Sequence, residues 1–123
     1  MSDWQKRLEA AGSRSTCRIT TRGRRTGRPH TVTIWFATAG PERVVLGTLR
    51  LGRDWPKNVA AKPEVEIQIG ELKLKGRAAR VTEDPERSRI EAMLAAKYLA
   101  ARIAGWLGFK PQGVFDVRLD GEA

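Results

Sequence analysis

The sequence contains very little of the chemistry that metal sites and covalent catalysis use. It has one cysteine, Cys17, and one histidine, His30. An intramolecular disulfide is therefore excluded, and the cluster of Cys and His ligands that a usual zinc site needs is missing. We predict no metal, and a lone thiol is typical of a protein in the reducing cytoplasm.

Long apolar runs are also missing. No run approaches the roughly 18 apolar residues that a membrane-spanning helix needs. Charged residues from Asp3 to Glu9 interrupt any signal-peptide pattern at the N-terminus. We therefore expect a soluble cytoplasmic protein, and its 123 residues fit one domain over residues 1–123.

Acidic residues are scarce relative to basic ones. The chain has 14 acidic and 23 basic side chains, which gives a formal net charge of +9. Such an excess favours anionic partners, namely nucleic acid, anionic lipid or a polyanionic small molecule.

Alternating and helical hydrophobic patterns predict six strands and three helices. The strands are expected at residues 16–21, 30–38, 43–48, 64–69, 72–78 and 113–119. Because short links join most of these strands, the pattern indicates a mainly β protein, a six-stranded antiparallel barrel with helices at its ends or flanks.

Capping residues set the predicted helix ends. Asp3 and Asp54 are expected as N-caps of two short helices, the first of which would end at Gly12. The longest helix would follow Asp84 and end before Gly108. Its apolar face is predicted to consist of Ile90, Met93, Leu94, Tyr98, Leu99, Ile103, Trp106 and Leu107.

Arginines are concentrated early in the chain. Residues 14–28 contain six arginines and no acid, and four of the six lie between Arg22 and Arg28 beside Gly23, Thr26 and Gly27. Guanidinium groups bind phosphate in a bidentate manner, and a glycine-bearing loop can offer backbone N–H groups. The alternative is a solvated basic loop without a ligand.

A second basic cluster follows the third predicted strand. Arg50, Arg53, Lys57 and Asn58 lie close together in sequence, with Trp55 among them. The start of the short helix at residue 54 offers N–H groups to an anion. Trp55 is expected either to cover a flat ring or to belong to the core. Together the two basic segments predict one pocket for a planar ligand that carries phosphate.

Covalent catalysis has little support in the sequence. A nucleophilic pair of Cys17 and His30 is one interpretation, but a thiol in a predicted strand is far more often buried and inert. No pair of acidic groups suggests an acid and a base. If the protein is an enzyme, a cofactor is expected to supply the chemistry.

Three segments resemble the deazaflavin (F420)-dependent nitroreductase family, within the split-barrel flavin-binding superfamily that includes pyridoxamine 5′-phosphate oxidase. They are TTRGRRTGRPHTVTIWF, which begins at Thr20, DWPKNVAAKPEVEIQIG, which begins at Asp54, and GRAARVT, which begins at Gly76. The resemblance implies a split barrel of the FMN-binding type and coenzyme F420 as the cofactor, with FMN as the alternative.

The resemblance also implies roles for individual residues. The cofactor phosphate and its acidic tail would be held by the loop motif, and the ring would lie beside the second strand and the segment after the third. The implied cofactor-binding residues are Arg24, Arg25, Thr26, Gly27, His30, Thr33, Ile34, Trp35, Thr48, Leu49, Arg50, Trp55, Lys57 and Asn58. Many family members have arginine where His30 stands, and their tyrosine-rich C-terminal segment is not evident here. The family implies no catalytic residue.

Three functions follow from these observations. The first is a reductase that transfers hydride from F420H2 to a quinone, a nitroarene or an activated double bond. The second keeps the fold but uses FMN as an oxidase or reductase. The third is a non-enzymatic basic module for nucleic acid or anionic lipid, although no nucleic-acid motif or stacking platform is present. The resemblance leaves both a monomer and a homodimer open.

Overall fold

The computed structural model describes residues 1–100 and 111–123. Within these ranges the strands are β1 (Thr16–Arg22), β2 (Pro29–Thr38), β3 (Arg43–Thr48), β4 (Glu64–Ile69), β5 (Leu72–Val81) and β6 (Gly113–Glu122). The helices are α1 (Asp3–Ala11), α2 (Asp54–Ala61) and α3 (Glu86–Ala100). Each predicted strand is present, and β1, β2, β5 and β6 extend beyond the predicted ends.

The six strands form a closed barrel in the order β1-β2-β3-β6-β5-β4. Every neighbouring pair is antiparallel, and the pairing of β1 with β4 closes the barrel. The prediction of a mainly β, six-stranded antiparallel barrel with helices is confirmed. None of the helices that the structure describes is long and apolar enough to cross a membrane.

Alternation along the strands builds the barrel interior. In β4, Val65, Ile67 and Ile69 are buried, whereas the residues between them are at least partly exposed. Gly76 lies at an irregularity in the pairing of β5 with β6. A Cβ atom there would stand 2.2 Å from the carbonyl oxygen of Arg118, so only glycine allows the two strands to come this close.

Helix α3 packs against the outer surface of the barrel. Ile90, Leu94 and Tyr98 form a second buried cluster with Val45 and Val114 of the sheet. This part of the predicted apolar face is confirmed, and Met93 is half-buried beside it. The predicted face from Leu99 onward, including Ile103, Trp106 and Leu107, and the stop at Gly108 lie outside the described residues and side chains.

The predicted helix caps were wrong by one residue. Ser2 is the N-cap of α1 and Arg53 that of α2, because Asp3 and Asp54 already have helical geometry and stand in the first turn. An acidic side chain stabilises a helix both as the N-cap and in the first turn, where it interacts with the helix dipole. The position of an aspartate in the sequence therefore leaves the helix start uncertain by one residue. Gly12 ends α1 with φ −62°, in the ordinary right-handed region.

The start of α3 differs in the same way. Pro85 precedes the helix instead of taking its first position, since α3 begins at Glu86. The Asp84 carboxylate accepts hydrogen bonds from the backbone N–H and the hydroxyl of Ser88, and these bonds hold the pKa of Asp84 below its usual value. Asp84 therefore does stabilise the first turn, as its position in the sequence indicated.

One edge of β2 is paired along only part of its length. Residues 29–35 of this strand pair with β1, but β3 pairs with β2 only from Trp35 to Thr38. In the described ranges no strand joins the other edge of β2 between Pro29 and Ile34. This segment, which we call the free edge of β2, leaves strand backbone open to a ligand.

Candidate functional site

Two cavities meet along the free edge of β2. The first, which we call the loop cavity, has a volume of about 230 Å³ and lies at the arginine-rich turn 23–28. The second, the strand cavity, has a volume of about 700 Å³ and extends from His30 to Trp35. His30 and Asp54 line both cavities, so the two form one continuous groove.

Asn58 holds the arginine-rich turn against α2. Its Oδ1 accepts hydrogen bonds from the backbone N–H of Arg24 at 3.2 Å and from Arg24 Nη1 at 2.9 Å. Its Nδ2 donates to Thr21 Oγ1 at 3.1 Å. Asn58 is 2% exposed and Thr21 is 0% exposed. The amide therefore joins β1, the turn and α2, and Asn58 shapes the loop cavity that it lines.

Arg24 is anchored as well, because its guanidinium also lies 3.5 Å from the Asp54 carboxylate. Arg25 is different. Its side chain is exposed and forms no ion pair with any residue in the described ranges. Its charge therefore remains for an anion in the loop cavity.

The other two motif residues stabilise the turn. Thr26 Oγ1 accepts the N–H of Arg28 at 3.2 Å, which leaves the hydroxyl hydrogen to donate towards the cavity. Gly27 has φ +73° and donates its N–H to the Gly23 carbonyl at 2.8 Å. Gly27 lines neither cavity, and its conformation is one that side chains rarely adopt. The turn therefore requires glycine at this position because of its backbone conformation.

The strand cavity brings together most of the remaining predicted residues. Along β2 it is lined by His30, Thr33, Ile34 and Trp35, and across from them by the segment after β3, which consists of Thr48, Leu49 and Arg50. The Thr48 hydroxyl donates to the Arg50 carbonyl at 3.2 Å and accepts the Arg50 N–H at 3.3 Å, which fixes this segment as a turn. Leu49 is 49% exposed, the kind of apolar side chain that a planar ligand could cover.

Trp55 belongs to the core. It is 3% exposed and lies against Phe115 with ring centroids 4.8 Å apart, so only its margin reaches the strand cavity. Of the two roles predicted for Trp55, the structure shows the core role, and contact with a bound ring stays a prediction. Lys57 points away from both cavities and lines a separate groove with Pro56 and Arg80. The structure does not bring Lys57 together with the other predicted residues.

The buried titratable groups cannot act on a ligand in the groove. Burial raises the pKa of Cys17 to about 12, so its thiol stays protonated and inert. His30 pairs with Thr21, four residues along β1 from Cys17. At about 3.3 Å per residue the two are roughly 13 Å apart, which excludes a nucleophilic pair.

Tyr98 is equally inaccessible. Its hydroxyl donates to the Ser15 carbonyl at 2.6 Å and accepts the Phe36 N–H at 2.9 Å, and burial raises its pKa to about 12. It lines neither cavity, although its ring centroid lies 5.3 Å from that of Trp35, which lines the strand cavity. We therefore do not expect Tyr98 to donate a proton to a ligand in the groove.

Sequence reasoning missed Asp54 as a site residue. We predicted only a helix cap, yet its carboxylate stands where the two cavities meet and pairs with Arg24. The signal was its position next to Trp55, in the first turn of the helix that approaches the arginine-rich turn. In the described part of the chain no three His, Cys, Asp or Glu side chains cluster as metal ligands, and the absence of a metal stays a prediction.

Solved structures share the fold of this chain at low sequence identity. An F420-H2 dependent reductase (FDR-A) superposes with a TM-score of 0.64 at 22% identity, over 85% of this chain and 95% of that one. A Listeria innocua protein assigned as a pyridoxamine 5′-phosphate oxidase gives 0.66 at 15% identity, over 99% and 95%. A FAD-binding protein from Mesorhizobium loti gives 0.71 at 11% identity, over 98% and 91%. These likenesses show that the chain shares the barrel fold of these proteins.

Sequence comparison identifies the family. No curated protein is significantly similar to the chain. The profile of the family described as F420H(2)-dependent quinone reductase, however, matches residues 6–104. This range contains the arginine-rich turn, the free edge of β2 and helix α2. Since the match covers most of the chain and all of the groove, the chain belongs to the F420H(2)-dependent quinone reductase family.

Proposed function

We propose that this protein transfers hydride from F420H2 to a quinone that lies in the groove along the free edge of β2. As a member of its family the chain is an oxidoreductase that uses coenzyme F420. The observation that carries the finer proposal is the continuity of the two cavities, one rich in cationic groups and one lined by strand edge and apolar side chains. Together they match a ligand with an anionic chain at one end and a flat ring at the other.

The loop cavity suits the phosphate of the cofactor. Arg25 and Arg28 are exposed there, and neither forms an ion pair with a residue in the described ranges. In addition, the backbone N–H groups of Arg25 and Thr26 donate to no residue in those ranges. Two guanidinium groups and two free backbone N–H donors in one cavity are the kind of groups that bind phosphate.

The strand cavity suits the ring. The free edge of β2 offers strand N–H and C=O groups that no strand in the described ranges uses, and the amide groups of a deazaflavin ring would pair with such an edge. Ile34, Trp35 and Leu49 supply apolar surface for the ring faces. The groove is therefore amphipathic in the same sense as the cofactor.

Reduced F420 supplies a hydride, and a quinone that takes up this hydride and one proton leaves as the hydroquinone. The protein contributes proximity and orientation, which can lower a barrier by several kcal/mol without covalent chemistry. We propose that the proton comes from solvent, because Cys17 and Tyr98 are buried with raised pKa values and the groove is open. The family description favours a quinone over a nitroarene or an activated double bond.

FMN remains the second candidate cofactor, since it also combines a phosphate with a tricyclic ring and the barrel is of the flavin-binding type. Membership of a reductase family favours either enzyme over the non-enzymatic basic module.

The test is an equilibrium titration of the purified protein with F420 and, separately, with FMN, followed by quenching of its four tryptophans. We expect tighter binding of F420, and Arg25→Ala should weaken it by about tenfold to a hundredfold, the worth of one charge-assisted contact to phosphate. Arg89→Ala is the matched control, because Arg89 has the same charge but stands 70% exposed on α3. Unchanged F420 affinity in Arg25→Ala would show that the cofactor phosphate does not bind in the loop cavity. Tighter binding of FMN than of F420 would show that FMN is the cofactor.

A further inference from the structure

A third cavity adjoins the strand cavity at its other end. We call it the polar cavity. It has a volume of about 660 Å³ and lies between β1, β2, β4 and the segment 13–15 that precedes β1. Thr16 and Thr33 line both the polar cavity and the strand cavity, so the two are in direct contact.

The polar cavity is built for an anion. Arg14 and Arg18 line it and form no ion pair with any residue in the described ranges, and no acidic side chain lines it. Hydroxyl groups of Ser13, Ser15 and Thr16 add hydrogen-bond donors. Two unpaired guanidinium groups in one concave polar space form a site that a carboxylate fits.

Strand register fixes the place of these arginines. Arg18 lies opposite Thr33 of β2 and Gln68 of β4, and all three stand on the outer face of the sheet. The Arg14 guanidinium packs on Gly70, where a Cβ atom would stand only 2.9 Å from its Cζ. Glu66 is the nearest acid in the register and lies opposite Thr20, one side-chain position away from Arg18 on the same face. It does not line the cavity.

The polar cavity lies at the opposite end of the ring site from the phosphate site. The loop cavity meets the strand cavity at His30, whereas the polar cavity meets it at Thr33. Three residues of a strand span roughly 10 Å. A cofactor whose phosphate lies at Arg25 and whose ring lies along β2 would therefore leave the polar cavity free beside the ring, within reach of the molecule that receives the hydride.

We propose that the polar cavity binds a carboxylate of the hydride acceptor, so that the enzyme prefers acidic quinones over neutral ones. This inference rests on the proposed function for the position of the ring. A carboxylate could also come from the acidic tail of the cofactor. The acceptor is favoured because the tail follows the phosphate, at the other end of the groove.

The experiment compares a naphthoquinone that bears a carboxymethyl group with its methyl ester, which differs only in the charge. At low salt we expect the wild-type enzyme with F420H2 to have a higher kcat/KM for the acid. In Arg18→Gln the kcat/KM for the acid divided by that for the ester should fall about tenfold, because one partly exposed charge-assisted contact is lost. Lys75→Gln is the matched control, because it removes one charge from the same sheet face but lines none of the three cavities.

Direct binding separates this inference from the proposed function. Titration of the oxidised protein–F420 complex with the acid and the ester needs no turnover, and Arg18→Gln should remove the preference for the acid there too. If no quinone is reduced but this loss is seen, the proposed function is wrong and the carboxylate site stands. The carboxylate site would be overturned if Lys75→Gln lost the preference for the acid to the same extent. It would also be overturned if neither Arg18→Gln nor Arg14→Gln lost that preference. Weaker binding of F420 itself to Arg18→Gln would assign the cavity to the cofactor tail, and would overturn the proposal as well.

Discussion

Replacement of Asn58 by alanine should damage stability and cofactor binding together. The change removes three hydrogen bonds, two from Arg24 and one to Thr21. It also leaves the fully buried Thr21 hydroxyl without its partner, which costs about 1–3 kcal/mol. The bonds to Arg24 are partly exposed and contribute less, so we expect the free energy of unfolding to fall by about 3 kcal/mol in total.

The same change should loosen the arginine-rich turn, because Asn58 joins its backbone to α2. A mobile turn must be ordered when the cofactor binds, at a cost of about 0.5–1.5 kcal/mol for each immobilised side chain. With one or two side chains affected, F420 affinity should weaken about tenfold. Urea denaturation measures the first effect, and titration by tryptophan fluorescence at a temperature where the variant is folded measures the second.

Thr21→Val is the matched control for this argument. It removes the other partner of the buried bond but leaves Arg24 attached to Asn58. It should therefore lower the free energy of unfolding by about 1–2 kcal/mol and leave F420 affinity within twofold. If Asn58→Ala bound F420 as tightly as the wild type, or if Thr21→Val weakened binding equally, the idea that Asn58 positions the turn for the phosphate would be refuted.

Two further predictions concern the only cysteine and the only histidine. The pKa of Cys17 is raised by burial from 9.0 to about 12, so the unfolded chain releases the thiol proton first and stability should fall between about pH 9 and 12. Cys17→Ala should flatten that decline, and an unchanged slope in denaturation melts across this range would contradict it. His30→Ala should keep quinone reduction within about a factor of 100, below the upper range of general acid–base effects, in an assay where deuterium from the reduced ring carbon appears in the product. A catalytically dead His30→Ala protein that still binds F420 would show that His30 moves a proton.

Local sequence patterns were sufficient for the strands but not for their pairing. The alternation of Val65, Ile67 and Ile69 predicts a strand with one buried face, because the period of two is a property of the strand itself. The register of β2 against β3 depends on the turn between them and on packing across the barrel. No local pattern indicates that β3 pairs with β2 only from Trp35 onward. The free edge, which forms one side of the groove, therefore could not be predicted.

Most of the residues that the motifs predicted line one groove, but the motifs did not show which of them are already held by other side chains. Arg24 and Arg25 are identical in type and adjacent in sequence, yet one is tied to Asn58 and Asp54 and the other remains free for a ligand. Trp55 and Lys57 are only two residues apart on α2, but one faces the core and the other a separate groove. Such differences follow from how α2 is rotated against β1 and β5, which is a tertiary property that no local pattern encodes.

The free edge of β2 links the fold to the chemistry. An unpaired strand edge exposes backbone donors and acceptors and invites association with another chain, so proteins usually cover or charge it. Here the arginine-rich turn covers one end, and the turn 48–50 faces the edge across the strand cavity. What remains is a slot with fixed hydrogen-bonding groups, in which a cofactor can take the place of the missing strand. Under the proposed function, the reaction needs only a cofactor and an acceptor held in contact, so it requires no catalytic side chain. Cys17 is then used for packing in the core, and Tyr98 for packing and for hydrogen bonds to the backbone of Ser15 and Phe36.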